Sequence, residues 1–199
     1  MSKQYDSIQS TPLLIGLEAA HPPLLPELTH MDDLALDVLV DFQFQRPATI
    51  LAKQSIDDAL LEMKANNVHM LLVIDNEKHI VGILSSQALH GEKPYKIIQE
   101  ARVKHSDIHV RTIMLPIEQV LCLDFDALKS AKIGNLVETF KKHRRHYALV
   151  MKTDERGQKH VQGYFSASRM SRTLSLSTSA NHLSEASIKE LQTMLQEFE

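Results

Sequence analysis

The chain has 199 residues, 43% of them hydrophobic and 24% charged, the composition of a globular protein with room for one sizeable domain or two small ones. A formal net charge of −3, 5% aromatic content and no tryptophan leave no bulk attraction to nucleic acid or anionic lipid and no base-stacking platform. No apolar run reaches the roughly 18 residues of a membrane span, no basic and apolar leader opens the chain, and the single cysteine excludes a disulfide framework; a cytoplasmic protein without nucleic-acid or membrane partners is therefore expected.

Residues 1–35 share no pattern with the rest of the chain, and Ala20-His21-Pro22-Pro23-Leu24-Leu25-Pro26 favours extended backbone. A first series of elements then begins with the strand signal Pro47-Ala48-Thr49-Ile50-Leu51. A helix follows from Ser55, with Ala59, Leu60 and Met63 on one face, then the apolar run His69–Ile74, a turn at Asp75-Asn76-Glu77-Lys78, and the run Ile80–Ser85. The second series has the same order: Val120-Leu121-Cys122-Leu123, a helix with Leu136, Val137 and Phe140 on one face, His146–Met151, a turn at Asp154-Glu155-Arg156-Gly157, and Val161–Ser166.

Ile56 to Ile133 and His69 to His146 are both separations of 77 residues, so the register holds through a whole helix. Gly82 to Gly163 is 81, which assigns four extra residues to the second hairpin, within 152–159, where a loop tolerates insertion. Cys122, inside an apolar run, is expected to be buried filler. The basic run Lys141-Lys142-His143-Arg144-Arg145-His146 is that of a solvated helix end, where cations suit the dipole. After a polar connector, Ser171–Ser179, the capping box Ser187-Ile188-Lys189-Glu190 and the stripe Ile188, Leu191, Leu195 and Phe198 predict a terminal helix docked on its own module or on a second chain.

Two copies of strand, helix, hairpin, Gly-apolar-apolar-Ser and closing helix, with Val110-Arg111-Thr112-Ile113-Met114-Leu115-Pro116 at their junction, resemble a tandem pair of CBS (cystathionine-β-synthase) domains over about Leu36 to Arg172. The resemblance implies an α/β fold of the α+β type, with two β-α-β-β-α units packed sheet against sheet about a pseudo-twofold axis. By sequence the divisions fall at 1–35 for the extension, 36–100 and 101–174 for the two units, and 175–199 for the connector and last helix. It also implies a regulatory module that pairs into homodimers, binds a small ligand such as an adenine nucleotide between the units, and acts on a separate partner protein.

The same resemblance assigns the ligand-binding candidates. Ser85 and Ser166 end their hairpins, with Ser86 and Ser168 beside them, where a hydroxyl caps a helix or meets a ligand. His69 and Met70, with His146 and Tyr147, precede or open the second strand of each copy, and Tyr147 has a ring that stacks on a purine or packs in a core. Thr49 and Ile50, with Val120 and Leu121, lie on the opening strands that line an adenine pocket in the family. Where nucleotide-binding members carry an aspartate for the ribose hydroxyls, this chain has Ala88 and Arg169. Alanine accepts nothing and arginine only donates, so the ribose grip is missing in both copies. Arg169 offers instead a fork for phosphate or carboxylate, or a solvent-facing cation. Loss of both aspartates also fits a second reading, an interaction or structural dimer without nucleotide binding.

Two histidine pairs have same-face helical spacing, His105 with His109 and His143 with His146, but neither has a neighbouring carboxylate or cysteine in the pattern of a metal site, and both are read as surface residues. Neither a phosphate loop, nor a nucleophile elbow, nor a His-Glu-x-x-His motif occurs, so no catalytic residue is assigned.

Overall fold

The structure, a computed structural model, describes residues 30–178, with side chains to Leu174. The proline-rich stretch 20–26 and the capping box at 187–190 lie outside the described residues. In chain order the elements are β1 (Val40–Asp41), β2 (Thr49–Leu51), α1 (Ile56–Asn66), β3 (Met70–Ile74), β4 (Ile80–Ser85), α2 (Ser86–His90), α3 (Glu92–Ala101), α4 (Val110–Ile113), β5 (Leu115–Pro116), β6 (Leu121–Asp124), α5 (Phe125–Leu128), α6 (Ile133–His143), β7 (Tyr147–Thr153), β8 (Lys159–Ser166) and α7 (Ala167–Thr178). Among the described residues no helix is long and apolar enough to cross a membrane.

The near-continuous apolar runs of the sequence are explained by strands buried on both faces. Along β3, Leu71 and Val73 point to the helices while Met70 and Leu72 point the other way. Along β7, Ala148 and Val150 face the helices and Tyr147 and Leu149 do not. The helix-facing sets build two separate cores, one around Ile56, Ala59 and Met63 of α1, the other around Ile133, Leu136, Val137 and Phe140 of α6. The opposite sets meet in a third cluster of Met70, Leu72, Ile83 and Leu149, flanked by Tyr147 and Tyr164. The two four-stranded sheets therefore pack face to face, as the resemblance implies.

The sheets are not assembled from contiguous sequence. Their strand orders are β2-β3-β4-β5 and β1-β8-β7-β6. The segment before each repeat thus completes the sheet of the other: β1 pairs antiparallel with β8, and β5 antiparallel with β4. The cores follow the same exchange, since Ala35 and Val38 are buried against α6 and Ile108, Val110 and Ile113 against α1. A division by packing therefore differs from a cut at residue 100.

Gly82 pairs with Pro116 and Gly163 with Asp41. A Cβ at Gly82 would collide with the Leu115 carbonyl, and one at Gly163 with the Val40 carbonyl. In both repeats, then, the shared glycine is where the exchanged strand crosses.

The four extra residues of the second hairpin do not enlarge its loop. Both turns are the same: an Asp75 carboxylate oxygen accepts from the N–H groups of Glu77 and His79, both at 2.9 Å, and an Asp154 oxygen from those of Arg156 and Gln158 at 2.9 and 2.8 Å. Asp75 to Asp154 is a separation of 79 residues, between the 77 before the turn and the 81 after it. The insertion is therefore two residues per arm, an even number that preserves which side chains face the core. β7 and β8 have 7 and 8 residues against 5 and 6 for β3 and β4.

The expectation of a buried Cys122 is corrected: it is exposed. β6 is an edge strand whose Leu121 and Leu123 pack against the core, and the alternation of the pleat sends Cys122 outward. The closing helix of the first repeat also differs from its counterpart. It breaks at Gly91 into α2 and α3, whereas α7 runs for 12 residues.

Candidate functional site

Each hairpin leads directly into a helix, and the serine at the junction caps it. Ser85 Oγ accepts from the N–H of Ala88 at 3.2 Å; Ser166 Oγ lies 3.4 Å from the N–H of Arg169 and 3.0 Å from Ser168 Oγ. The histidine carbonyls before the second strands complete these junctions identically, His69 accepting from Ser86 N–H and His146 from Ala167 N–H, both at 2.9 Å. The pseudo-twofold axis therefore brings His69, His146 and the two helix starts together.

Two cavities open there. One, of about 450 Å³, lies between β4, α2, α4 and β5 on the first-repeat side and the α6–β7 junction of the second. Its wall is apolar at Ile83, Ala88, Ile113, Met114, Leu115 and Pro116, and polar at Ser85, Gln87 and Gln119. Its cations are Lys93, Arg111, Arg144 and Arg145, and none of the described residues that line it is a carboxylate. The second cavity, about 720 Å³, sits on the axis and is lined by His69, Ser86, His90, Ser168 and Arg172, among others. Gln87, His146 and Tyr147 belong to both walls, so the two spaces adjoin.

Among the described residues, the position related to the first cavity by the pseudo-symmetry is closed. Only about 10 Å³ remains among Phe42, Met70, Leu72, Tyr164 and their neighbours, at the lower limit for one water. Tyr164 occupies the register position of Ile83, so an aromatic ring takes up the space that an aliphatic side chain leaves open in the first repeat. The rings of Phe42 and Tyr164 are 5.9 Å apart and those of Tyr147 and Tyr164 6.3 Å apart, both tilted. Burial pushes the Tyr147 phenol up to about 12 and raises that of Tyr164, the latter partly offset by the charge of Arg169.

Of the residues singled out by sequence, Ser85, His146 and Tyr147 line the open cleft, and His69, Ser86 and Ser168 join His146 and Tyr147 around the axial cavity. Met70 faces the closed position. Ser166 is buried as a cap, and Arg169 is exposed on the first turn of α7 near Tyr164; Arg172, one turn further on, reaches the axial cavity instead. Thr49, Ile50, Val120 and Leu121 line neither cavity. β2 and β6 are edge strands on the side of each sheet away from the β4–β5 and β8–β1 pairs, and Ile50 points into the α1 core.

Sequence reasoning missed the cations Lys93, Arg111, Arg144 and Arg145 as a group. Arg144 carried a usable signal: it stands 77 residues after Asn67, and both end their helices in the left-handed region, at φ 49° and 50°. Asparagine tolerates that conformation; arginine is strained in it.

Residues 40–90 match the family model of the CBS domain. In structure the chain is similar to a conserved CBS-domain protein of Thermoplasma acidophilum, at 17% identity over 79% of this chain and 77% of that one, with a TM-score of 0.53. A CBS-domain protein of Agrobacterium tumefaciens is similar at 16% identity over 72% and 94%, TM-score 0.51. An uncharacterised conserved protein of Pyrococcus horikoshii is similar at 19% identity over 79% and 100%, TM-score 0.50. No curated protein matches the chain.

Proposed function

We propose that this chain, a CBS-domain protein with a two-repeat fold, is a regulatory binding module rather than a catalyst, which holds one small anionic ligand in the cleft that stays open among the described residues. The observation that carries this reading is the asymmetry of the two related clefts, one of about 450 Å³ with a cationic rim and the other closed by Phe42 and Tyr164. The open cleft draws its walls from both repeats. A ligand bridging β4 and the α6–β7 junction favours one arrangement of the halves, which is what a sensor requires. An adenine nucleotide falls within the ligand class, although Ala88 supplies no ribose acceptor. The second reading, a purely structural module, is favoured at the closed cleft and there alone.

Self-association and action on a separate protein belong to the same proposal. Exposed Phe44, Leu61 and Tyr95 are apolar surface of the kind such contacts cover. Light scattering tests the dimer, which has twice the chain mass of 22.5 kDa.

The ligand is tested by thermal shift of the full chain against adenosine, its mono-, di- and triphosphates, S-adenosylmethionine, guanine nucleotides and dinucleotides. A saturable rise in unfolding temperature for one class supports a sensor. No shift across the panel contradicts ligand binding and leaves the structural reading.

A further inference from the structure

The net charge of the chain is concentrated in one segment. Residues 179–199 contain Glu185, Glu190, Glu197 and Glu199 against Lys189 alone, which accounts for the whole formal charge of −3. The 22 cations less one and the 25 acids less four leave 21 of each in residues 1–178. The open cleft has the opposite sign. Lys93 from α3, Arg111 from α4 and Arg145 from the α6–β7 junction line it, and none of the described residues of its wall is a carboxylate. None of these three cations makes an ion pair with a described residue. Arg144 on the same wall is engaged already, and the match of charge does not depend on it.

The apolar groups match as well. Phe198 stands between Glu197 and Glu199, a flat ring with an anion on either side. The cleft offers the converse, an apolar wall of Ile83, Ile113 and Met114 beside the three cations. About 450 Å³ is the size of a small-ligand site, so the cleft takes a few side chains and not the whole stripe of Ile188, Leu191, Leu195 and Phe198. The reach suffices: Arg172 of α7 lines the axial cavity that adjoins the cleft, and Thr178 lies six residues, or about 9 Å of helix, beyond it. The 20 residues from Thr178 to Phe198 span about 30 Å at the rise of a helix and about 70 Å when extended.

Resting on the reading that this cleft binds a small ligand, we infer that Glu197-Phe198-Glu199 is an internal competitor for it, with the Phe198 ring on the apolar wall and the two carboxylates toward Lys93, Arg111 and Arg145. A small ligand then displaces the segment, and binding is reported as its release. A tethered segment acts at an effective concentration in the millimolar range. With an intrinsic Kd of about 0.1 mM it fills the cleft about nine-tenths of the time and weakens a competing ligand about tenfold.

Paramagnetic relaxation in the full chain tests the inference. A nitroxide on Met194→Cys, in a Cys122→Ser background, is expected to broaden the methyl signals of Ile83, Ile113 and Met114 without any ligand, and to do so less at about 0.5 M than at about 0.05 M salt. Arg145→Ala should weaken the broadening in a folded chain. Glu197→Gln, Phe198→Ala and Glu199→Gln together should abolish it and should tighten ATP about tenfold by calorimetry. Unbroadened cleft methyls overturn the inference and leave the small-ligand reading to its own panel. Equal ATP affinity in wild type and triple variant overturns the competition. Broadening that arises only between chains, when spin-labelled chain is mixed with isotope-labelled chain lacking the nitroxide, gives the cleft to a second copy and overturns the internal contact. If the methyls broaden within one chain and no member of the panel binds even the triple variant, the segment stands as the occupant and the small-ligand reading fails.

Discussion

Tyr147 of the second repeat donates its phenolic hydroxyl to the backbone carbonyl of His69 in the first, at 3.3 Å, and the same carbonyl accepts from Ser86 N–H at 2.9 Å. One backbone group thus joins the start of α2 to a side chain from the opposite sheet. At 3.3 Å the bond is long for a hydroxyl donor, so Tyr147→Phe should cost only about 0.5–1 kcal/mol, or about 1–4 °C in unfolding temperature. Calorimetric scans check this; a loss above about 3 kcal/mol would show that the hydroxyl is engaged far more strongly than the geometry allows.

The same phenol sets a pH dependence. Its pKa is raised to about 12, first by burial and then by neighbouring Tyr164, against an ordinary value of 10. A group whose folded pKa lies above its unfolded one keeps its full contribution below about pH 10 and loses it as pH rises to about 12. Wild-type stability should therefore fall over that window by an amount on the order of 2 kcal/mol more than that of Tyr147→Phe. Ultraviolet titration should lose its step near pH 12 in the variant; an unchanged titration curve would contradict the buried placement.

Gly82 and Gly163 lie beneath the exchanged strands, so alanine at either should push a backbone carbonyl of Leu115 or Val40. Overpacking against backbone costs about 2–3 kcal/mol, and both variants should lose comparable stability in urea. Gly134→Ala is the control, since its nearest neighbour, the Met31 carbonyl, is 3.4 Å from the new Cβ; it should be neutral or stabilising by up to about 1 kcal/mol. Tolerance at Gly82 and Gly163 would contradict the strand exchange.

Tyr164→Ile places in the closed cleft the residue that the open one has at Ile83. It should cost about 1–3 kcal/mol through lost ring packing. It should not create a second ATP site, because Arg46 is the one cation lining that position among the described residues. A second equivalent of bound ATP in the variant would show that space, and not charge, decides occupancy.

The repeat order, the helix faces and the two hairpins were legible in the sequence because each rests on a short-range period: Leu136, Val137 and Phe140 can share a helical face in few ways, and Asp75 and Asp154 mark turns wherever they occur between apolar runs. The exchange of β1 and β5 was not legible. Val40 and Leu115 pair with residues that lie more than 120 and more than 30 positions away, respectively, and two-residue strands have no period to detect. Cys122 was misplaced for a related reason, since an apolar run does not reveal which strand is an edge. The cleft was half legible: Ser85, His146 and Tyr147 follow from the repeat, whereas Lys93, Arg111 and Arg145 meet only through the packing of separate elements.

The binding stoichiometry of ATP separates one working cleft from two or none. It is measured by isothermal titration on the full chain and on Ala88→Phe, whose ring fills the open cleft from α2, with unfolding temperatures recorded alongside. One site per chain is expected in the wild type, and loss of binding in a folded Ala88→Phe. Two sites per chain, or undiminished binding by a folded Ala88→Phe, would contradict the assignment of the ligand to this cleft.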